Sequence, residues 1–599
     1  MRVAADTGGT FTDLVADDGR AVKVLSTPDD PAEAVAEGLG RLAGDQAGRR
    51  PELLAHGTTV ATNALLERRG ARVALVTTAG FADVIEIARQ DRPSLYDIWA
   101  DRPEPLVPRR LRLEVAGRLD ARGEELEPLD PTTIPDVPEG TESVAVCLLH
   151  ADLSGDQERA VAKTLVDRGV DDVTCSHQVS PEFREYERTV TTVVNAYLRP
   201  RCRRYLRSLA SLADEVLVMT SAGGLLAAND AAELPAALLL SGPAGGVRAG
   251  AAAARAAGFP DAVTFDMGGT STDVCLVRGG APEPTAGRTA AGFPIRLPAL
   301  DIHTIGAGGG SIAAIDPGGA LVVGPESAGA HPGPACYGRG GDHPTVTDAD
   351  LVLGRIPPDA VFGGLDSLDC DAAAAALADA GLSAEGVVAV VDAAMERAVR
   401  VVSVQRGVDP DGLALVAFGG AGPLHACAVA EGAGLRAVVV PPRAGVLSAV
   451  GLLCSPRQRD LVRSWPTPSD TAGLDDALAE LADEGRRAVG DEQGEITTSL
   501  DCRYAGQSHE LTVARIEDFE DEHRRRNGYA RSGAPVEVVA LRVRARVAPA
   551  VSLDDLGRPP TQRRPTKGPT VVAELDCTLW VPEGWSADVA GDGSWVLTR

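Results

Sequence analysis

Lysine is almost missing from this 599-residue sequence: it occurs three times, at 23, 163 and 567. None of the three follows a glycine-rich loop, which excludes a P-loop, where a lysine must reach the outer phosphates. Basic character as a whole is outweighed, and a formal net charge of −27 leaves no basic surface to hold a nucleic-acid backbone. The ten cysteines are scattered, with no C-x-x-C pair, which excludes a disulfide frame, a zinc site or an iron–sulfur cluster and fits reduced core thiols. There is no G-x-S-x-G elbow and no readable Ser/His/Asp order, so acyl-enzyme hydrolysis has no support. The N-terminus lacks a basic region followed by an apolar stretch, and no window holds about eighteen uninterrupted apolar residues. A cytoplasmic protein with no membrane partner is expected.

At 44% hydrophobic, the chain has the length for several domains with large cores. Up to about Leu453, apolar β-branched runs such as "ARVALVTT", "ESVAVCLLH", "DAVTFDMGG" and "LALVAFGG" alternate with Ala-rich runs of helical period such as "GVRAGAAAARAAG" and "DAAAAALADAG". That alternation predicts α/β architecture. After "SPRQRDLVRSW" a charged helical stretch leads into β-like runs, which predicts a separate α+β domain. The expected divisions are 1–180, 181–465 and 466–599.

The strongest signal is a repeat. "DTGGTFTD" (6–13) and "DMGGTSTD" (266–273) share six of eight residues, and each follows an apolar strand. Two glycines able to adopt positive φ let backbone N–H groups approach an anion, and an Asp at the strand end suits a hydrated Mg²⁺. A single copy reads equally well as a tight turn with Asp and Thr making local hydrogen bonds. Two copies heading two α/β halves favour a phosphate cradle built twice, with Asp6, Gly8, Gly9, Thr10 and Thr12 on one side and Asp266, Gly268, Gly269, Thr270 and Thr272 on the other. This pairing resembles the actin, sugar-kinase and heat-shock-protein-70 ATPase superfamily, in which two ribonuclease-H-like halves clamp ATP. The resemblance implies an adenosine turn late in the second half, and "LVAFGGAGPLHA" (415–426), with Gly419, Gly420 and Gly422, fits it. It does not match G-x-G-x-x-G, so a dinucleotide reading is rejected.

Longer strings narrow the resemblance. "HGTTVATNALLERRGARVALVTTAGFADVIEIARQDRPSLYDI" (56–98), "YERTVTTVVNAYLRP" (186–200), "LLSGPAGGV" (239–247), "FDMGGTSTDV" (265–274), "DIHTIGAGGGSIAAID" (301–316) and "PPRAGVLSAVGLL" (441–453) look like the hydantoinase/oxoprolinase family. "DCRYAGQSHELTV" (501–513) extends the likeness toward the C-terminus. The chain is similar to ATP-hydrolysing N-methylhydantoinase A chains, the N-terminal half of 5-oxoprolinase and the acetone carboxylase β chain. The resemblance implies an ATP- and Mg²⁺-dependent hydrolase subunit that activates a hydantoin, 5-oxoproline or related lactam by phosphoryl transfer. The alternative is the nucleotide-using subunit of an acetone-type carboxylase. It also implies a second, hydantoinase B-type subunit, since the sequence shows no nucleophile or base set for ring opening, and the C-terminal domain is the expected interface. A chaperone-like clamp is disfavoured because no peptide-binding β domain follows.

Individual residues carry weaker signals. His56 either orients substrate or packs, and Thr59 and Asn63 either line the site or cap a helix. Arg89, Arg92 and Tyr96 in "RQDRPSLYD" suit a carboxylate grip or a local salt bridge. Asp301 and His303 in "DIHTIGAGGGS" are candidates for a catalytic and a substrate-binding role beside the Gly-rich turn, with ordinary hydrogen bonding as the plain reading. Asp6, Asp266, Asp301 and His56 form the expected catalytic set.

Overall fold

The computed structural model describes residues 1–9, 11–27, 30–44, 49–359, 367–556 and 563–599; Thr10 lies outside them. Two large sheets organise the chain, and each is seeded by one copy of the repeat. In the first, Arg2–Thr7 lies between antiparallel Phe11–Ala16 and parallel Leu53–Thr58; Ala21–Leu25 and parallel Glu215–Met219 continue the two flanks. In the second, Ala262–Met267 lies between antiparallel Thr272–Arg278 and parallel Ala414–Phe418; Ala281–Pro282 and parallel Ala437–Val440 continue the flanks. The two five-strand orders and directions match. The octapeptide repeat is thus the sequence trace of a repeated sheet unit.

These central strands are largely apolar up to the polar residues at their ends because both faces are covered. Val3, Ala5, Leu54, Val216 and Val218 enter one core, while Ala4, Leu53, Ala55, Leu217 and Met219 enter the other, following the two-residue period of a strand. Helix Glu185–Leu209 belongs to the first core and packs on a smaller parallel sheet containing Val73–Thr78 and Ser143–Cys147. Residues 181–239 therefore build on the first sheet. Helices Gly242–Ala256 and Leu447–Leu453 bridge the sheets. They meet backbone to backbone: a Cβ on Gly451 would stand 1.9 Å from the Gly245 carbonyl oxygen, so only glycine permits this approach.

The C-terminal region is divided between the two sheets. Glu495–Tyr504, Leu511–Val513 and Val536–Val547 extend the first through Arg457–Ser464, over an apolar cluster including Leu481, Tyr504, Phe519 and Leu541. Trp595–Thr598 pairs with Ala437–Val440, and Ser586–Val589 follows, so the last strands extend the second. The expectation of a self-contained α+β domain from 466 fails because strand composition cannot say which distant edge a strand joins. The cysteines are free thiols. Among the described residues no single helix is long and apolar enough to cross a membrane.

Candidate functional site

The two hairpins present their carboxylates to one another. Strand register sets Asp6 opposite Asp13 and Asp266 opposite Asp273, so each hairpin contributes a pair. Burial, then the Asp13 charge, pushes the Asp6 carboxyl up to about 7, while Lys23 acts in the opposite sense. Burial, Asp273 and then Asp6 from the facing hairpin push Asp266 up to about 8. Asp273 is lifted to about 6 by burial, against a hydrogen bond that Thr304 donates at 2.5 Å. Asp13 is raised as well, with Lys23 Nζ at 2.7 Å holding it down.

Four acids with one lysine among them is a site short of positive charge. Ser448, on helix Leu447–Leu453, donates to Asp266 at 3.2 Å, whereas no described residue donates to the Asp6 carboxylate. Among the described residues the four do not close into a compact three-ligand cluster.

Backbone geometry completes the cradle. The Gly8 amide donates to the Phe11 carbonyl at 3.0 Å, and the Gly268 amide to Ser271 at 3.1 Å, so both turns close in the same way. None of Gly8, Gly9, Gly268 and Gly269 has a positive φ, contrary to the expected reason for glycine there. At Gly9 and Gly269 a Cβ would meet no atom of the described residues within 4 Å; what glycine preserves is open space over the turn. Thr270 is exposed at the second tip.

The second turn is clamped from two directions. The Gly309 and Gly310 amides donate to the Gly268 and Gly269 carbonyls at 3.0 and 2.7 Å, and the Ala421 amide donates to Met267 at 3.0 Å. Gly419 adopts φ +81°, and a Cβ there would stand 2.4 Å from the Met267 oxygen. Gly420 faces open space and Gly422 begins helix Gly422–Ala433. His425, buried on that helix between Asp392 at 2.7 Å and Asp350 at 3.1 Å, is pushed up to about 10 by the two carboxylates despite burial, and braces the helix.

Several expected site residues stand elsewhere. Thr12 and Thr272 are buried: the Thr12 hydroxyl meets Ser26 at 3.0 Å, whose own hydroxyl donates to the Gly8 carbonyl at 2.8 Å, and Thr272 donates to the Ala307 carbonyl at 2.6 Å, so both hydroxyls are engaged within the protein. His56 is fully buried, with Nδ1 at 3.0 Å from the Ala5 carbonyl and Nε2 at 2.7 Å from the Tyr205 hydroxyl. Burial pulls it down to about 4, and it packs beneath the first hairpin as a neutral ring. Asp301 pairs with Arg406; His303, two residues on, shares that side of the chain, while the next residue, Thr304, turns the other way to Asp273. Strand alternation thus places Asp301 and His303 away from the carboxylates.

Thr59 and Asn63 hold one another at 3.3 Å, beside Gly242 at the start of helix Gly242–Ala256. Arg89 grips Glu187 at 2.9 and 2.5 Å, while Arg92 and Tyr96 are exposed. Arg89 and Glu187 line a cavity of about 590 Å³ with Tyr186, Val190 and Phe293. Residues 186–194 precede Tyr205 by 11–19 positions on one helix, roughly 16–28 Å at the helical rise. The "RQDRPSLYD" segment meets that helix at Glu187, well before Tyr205. Sequence reading missed Asp13, Asp273, Lys23, Ser448 and the backbone of residues 308–310. For the two acids the signal was present, since the repeat begins and ends with Asp.

Comparison with known proteins gives the family of the chain. Residues 2–169 match the hydantoinase/oxoprolinase N-terminal region and residues 188–460 match hydantoinase/oxoprolinase. The chain is 34% identical to caprolactamase subunit alpha of Pseudomonas jessenii, covering 100% of this chain and 99% of that one. It is 35% identical to 5-oxoprolinase 1 of Arabidopsis thaliana over 76% of this chain and 41% of that protein. The crystal structure of the ATP-dependent caprolactamase from Pseudomonas jessenii superimposes with a TM-score of 0.84 at 31% identity over the full length of both chains. Nucleotide-free acetone carboxylase, at 23% identity and a TM-score of 0.78 over 100% of this chain and 99% of that one, shares the fold. With family matches across most of its length and a full-length relative at this identity, the chain belongs to the hydantoinase/oxoprolinase family.

Proposed function

We propose that this chain is the ATP-using subunit of a cyclic-amide hydrolase, acting on a lactam, a hydantoin or 5-oxoproline, and that its two sheet units are ribonuclease-H-like halves of an actin-type ATPase. The observation that carries the reading is the facing pair of hairpins, each with two acids and an open Gly-Gly turn, in a chain related to an ATP-dependent caprolactamase.

An amide resists water because resonance ties up its nitrogen lone pair. ATP, when bound, supplies the phosphoryl group that, carried on the amide oxygen, turns the amide into an activated imidate whose carbon accepts water and whose C–N bond can then break, with nitrogen leaving as the amine. The chain's own work is positioning and charge neutralisation. Asp6 and Asp266 would hold Mg²⁺, which would neutralise phosphate charge, with Asp13 and Asp273 paired to them across each hairpin. The Gly9 and Gly269 amides, with Thr270, would receive phosphate oxygens over turns that the Gly8 and Gly268 amides close, and residues 419–422 would receive the adenosine. Thr59 and Asn63 border the cleft beside Gly242.

The relative's designation as an alpha subunit supports a second chain, which we take to be of the hydantoinase B type. Leu95, Tyr96, Ile98 and Trp99 are 77%, 96%, 81% and 85% exposed, a denser apolar run than anything described in residues 466–599, and we assign the partner's docking surface to it rather than to the C-terminal region.

The test is ATP turnover by the purified chain, alone and with the co-expressed partner, over lactams, hydantoins, 5-oxoproline, and ketones with bicarbonate. Turnover stimulated by a cyclic amide, with ring opening restored by the partner, is the expected result. Stimulation only by ketone with bicarbonate would replace the hydrolase by a carboxylase. Docking is checked separately: Tyr96→Asp with Trp99→Asp should abolish co-purification of the partner and leave ATP binding intact.

A further inference from the structure

On strand Val536–Val547, Arg542, Arg544 and Arg546 alternate along one face of the first sheet. Their compensation fades along the row. Arg542 has two carboxylates, Asp501 at 2.7 Å and Glu182 at 3.1 Å. Arg544 has one, Asp460 at 2.6 Å. Arg546 has none at ion-pair distance among the described residues; it donates to the neutral Gln458 side chain at 2.8 Å, and its cross-strand neighbour Glu495 is exposed.

At this depleted end a fourth arginine enters from another element. Arg248, on helix Gly242–Ala256, has no hydrogen bond and no ion pair among the described residues, and its Nε is buried without a partner. Its Cδ lies 3.2 Å from where a Cβ of Gly223 would stand, and Gln458 also reaches toward the Ala222 carbonyl, so the 220–224 turn forms a wall. Burial, Arg546 and Arg544 pull Arg248 down to about 10, and burial with Arg544 pulls Arg546 down. Arg248, Arg544 and Arg546 thus have only Asp460 as a paired acid, a local positive excess in a chain of net charge −27.

We infer that Arg248, Arg546 and the 220–224 turn form a second oxyanion site, beside the phosphate turns and separate from them, for a ligand carrying phosphate or carboxylate groups. A guanidinium offers a planar fork matched to either group, and the ion left out of this row is an anion. Arg248 stands six residues into its helix, roughly 9 Å along the axis from Gly242. The inference rests on the arginine row and holds whatever reaction the hairpins serve.

Inorganic phosphate and glutarate are the probes, titrated by calorimetry into the full chain. One probe, or both, should bind the wild type and equally the Gly269→Val variant, whose nucleotide turn is blocked. Arg248→Gln and Arg546→Gln should each weaken that binding roughly tenfold or more, the loss of one charge-assisted contact. Binding of phosphate alone or glutarate alone identifies which oxyanion the site takes. The inference is overturned if neither probe binds the wild type at millimolar concentration, if both arginine variants bind as wild type does, or if Gly269→Val removes the binding, which would place it at the hairpins. Arg546→Gln is the safeguard should Arg248→Gln fail to fold.

Discussion

The same eight-residue pattern is set in two different surroundings. The first hairpin has a cation of its own: Lys23, on the next strand, holds Asp13 and tempers Asp6. The second has no lysine; it has packing, with residues 308–310 on one side, Gly419 and Ala421 on another, and Ser448 on Asp266. Asp266 accordingly stands higher than Asp6, about 8 against about 7. Copies of a motif share turn geometry, but the charge state of the acid depends on neighbours the motif does not contain. The first hairpin is electrostatically eased and the second mechanically held.

The sharpest way to break the comparison is to neutralise each acid. Asp266→Asn and Asp6→Asn should each lower substrate-stimulated ATP turnover by about 100-fold or more, the scale on which fixed electrostatic groups act in phosphoryl transfer. Without divalent cation both variants should melt higher than wild type, because each removes a repelled carboxylate, with the larger gain at Asp266. Steady-state kinetics and thermal melts read both effects, and turnover undiminished in both variants rejects the double cradle.

Next come the glycines. Gly9→Val and Gly269→Val should fold normally, as the space above each turn is open in the protein, and should weaken ATP binding roughly tenfold or more through obstruction of the phosphates. Gly419→Ala should do the reverse. Its left-handed φ and contact with the Met267 oxygen make any side chain strained, so stability falls by about 1–3 kcal/mol. Calorimetry beside denaturant unfolding separates the two classes. A Gly269→Val that unfolds while binding ATP normally would show the turn to be structural only.

A smaller effect is expected from pH. Asp273, Asp6 and Asp266 have folded values near 6, 7 and 8, above their ordinary value of 3.8. The native state therefore holds protons that the unfolded chain has lost. The acids destabilise the fold increasingly as pH rises from about 5 to about 8, and stability is greater at the acid end of that window. Melting temperature without divalent cation should fall across it, and Mg²⁺ with ATP should reverse the fall most strongly near pH 8. A flat profile in chelator would show that the four carboxylates do not repel one another in solution.

The smallest effect belongs to Lys23. Lys23→Met should move the cation-free profile upward by less than about one pH unit, through Asp13 and Asp6, and leave Asp266 where it is. Carboxyl titration by NMR would resolve the individual acids.

Local chemistry was legible in the residues. The repeat announced two equivalent hairpins, the apolar runs announced strands buried on both faces, and the long strings announced the family, because turn chemistry and two-residue alternation act over a few positions and leave their mark there. What depended on distant pairing was not legible. Strands after 466 look alike in composition, yet some join the edge at Arg457–Ser464 and others the edge at Ala437–Val440. Asp301 and His303 sit near a Gly-rich turn in sequence, but alternation turns Thr304 toward Asp273 and leaves them on the other side. His56 shares a string with Thr59 and Asn63, yet its ring lies in the core against Tyr205, 149 positions away. The sequence by itself determined two equivalent Gly-Gly turns and the strands that carry them; the tertiary structure decided which acids face one another, which threonines are buried and where the unmatched arginines meet, because burial and charge are set by what the chain brings alongside from far away.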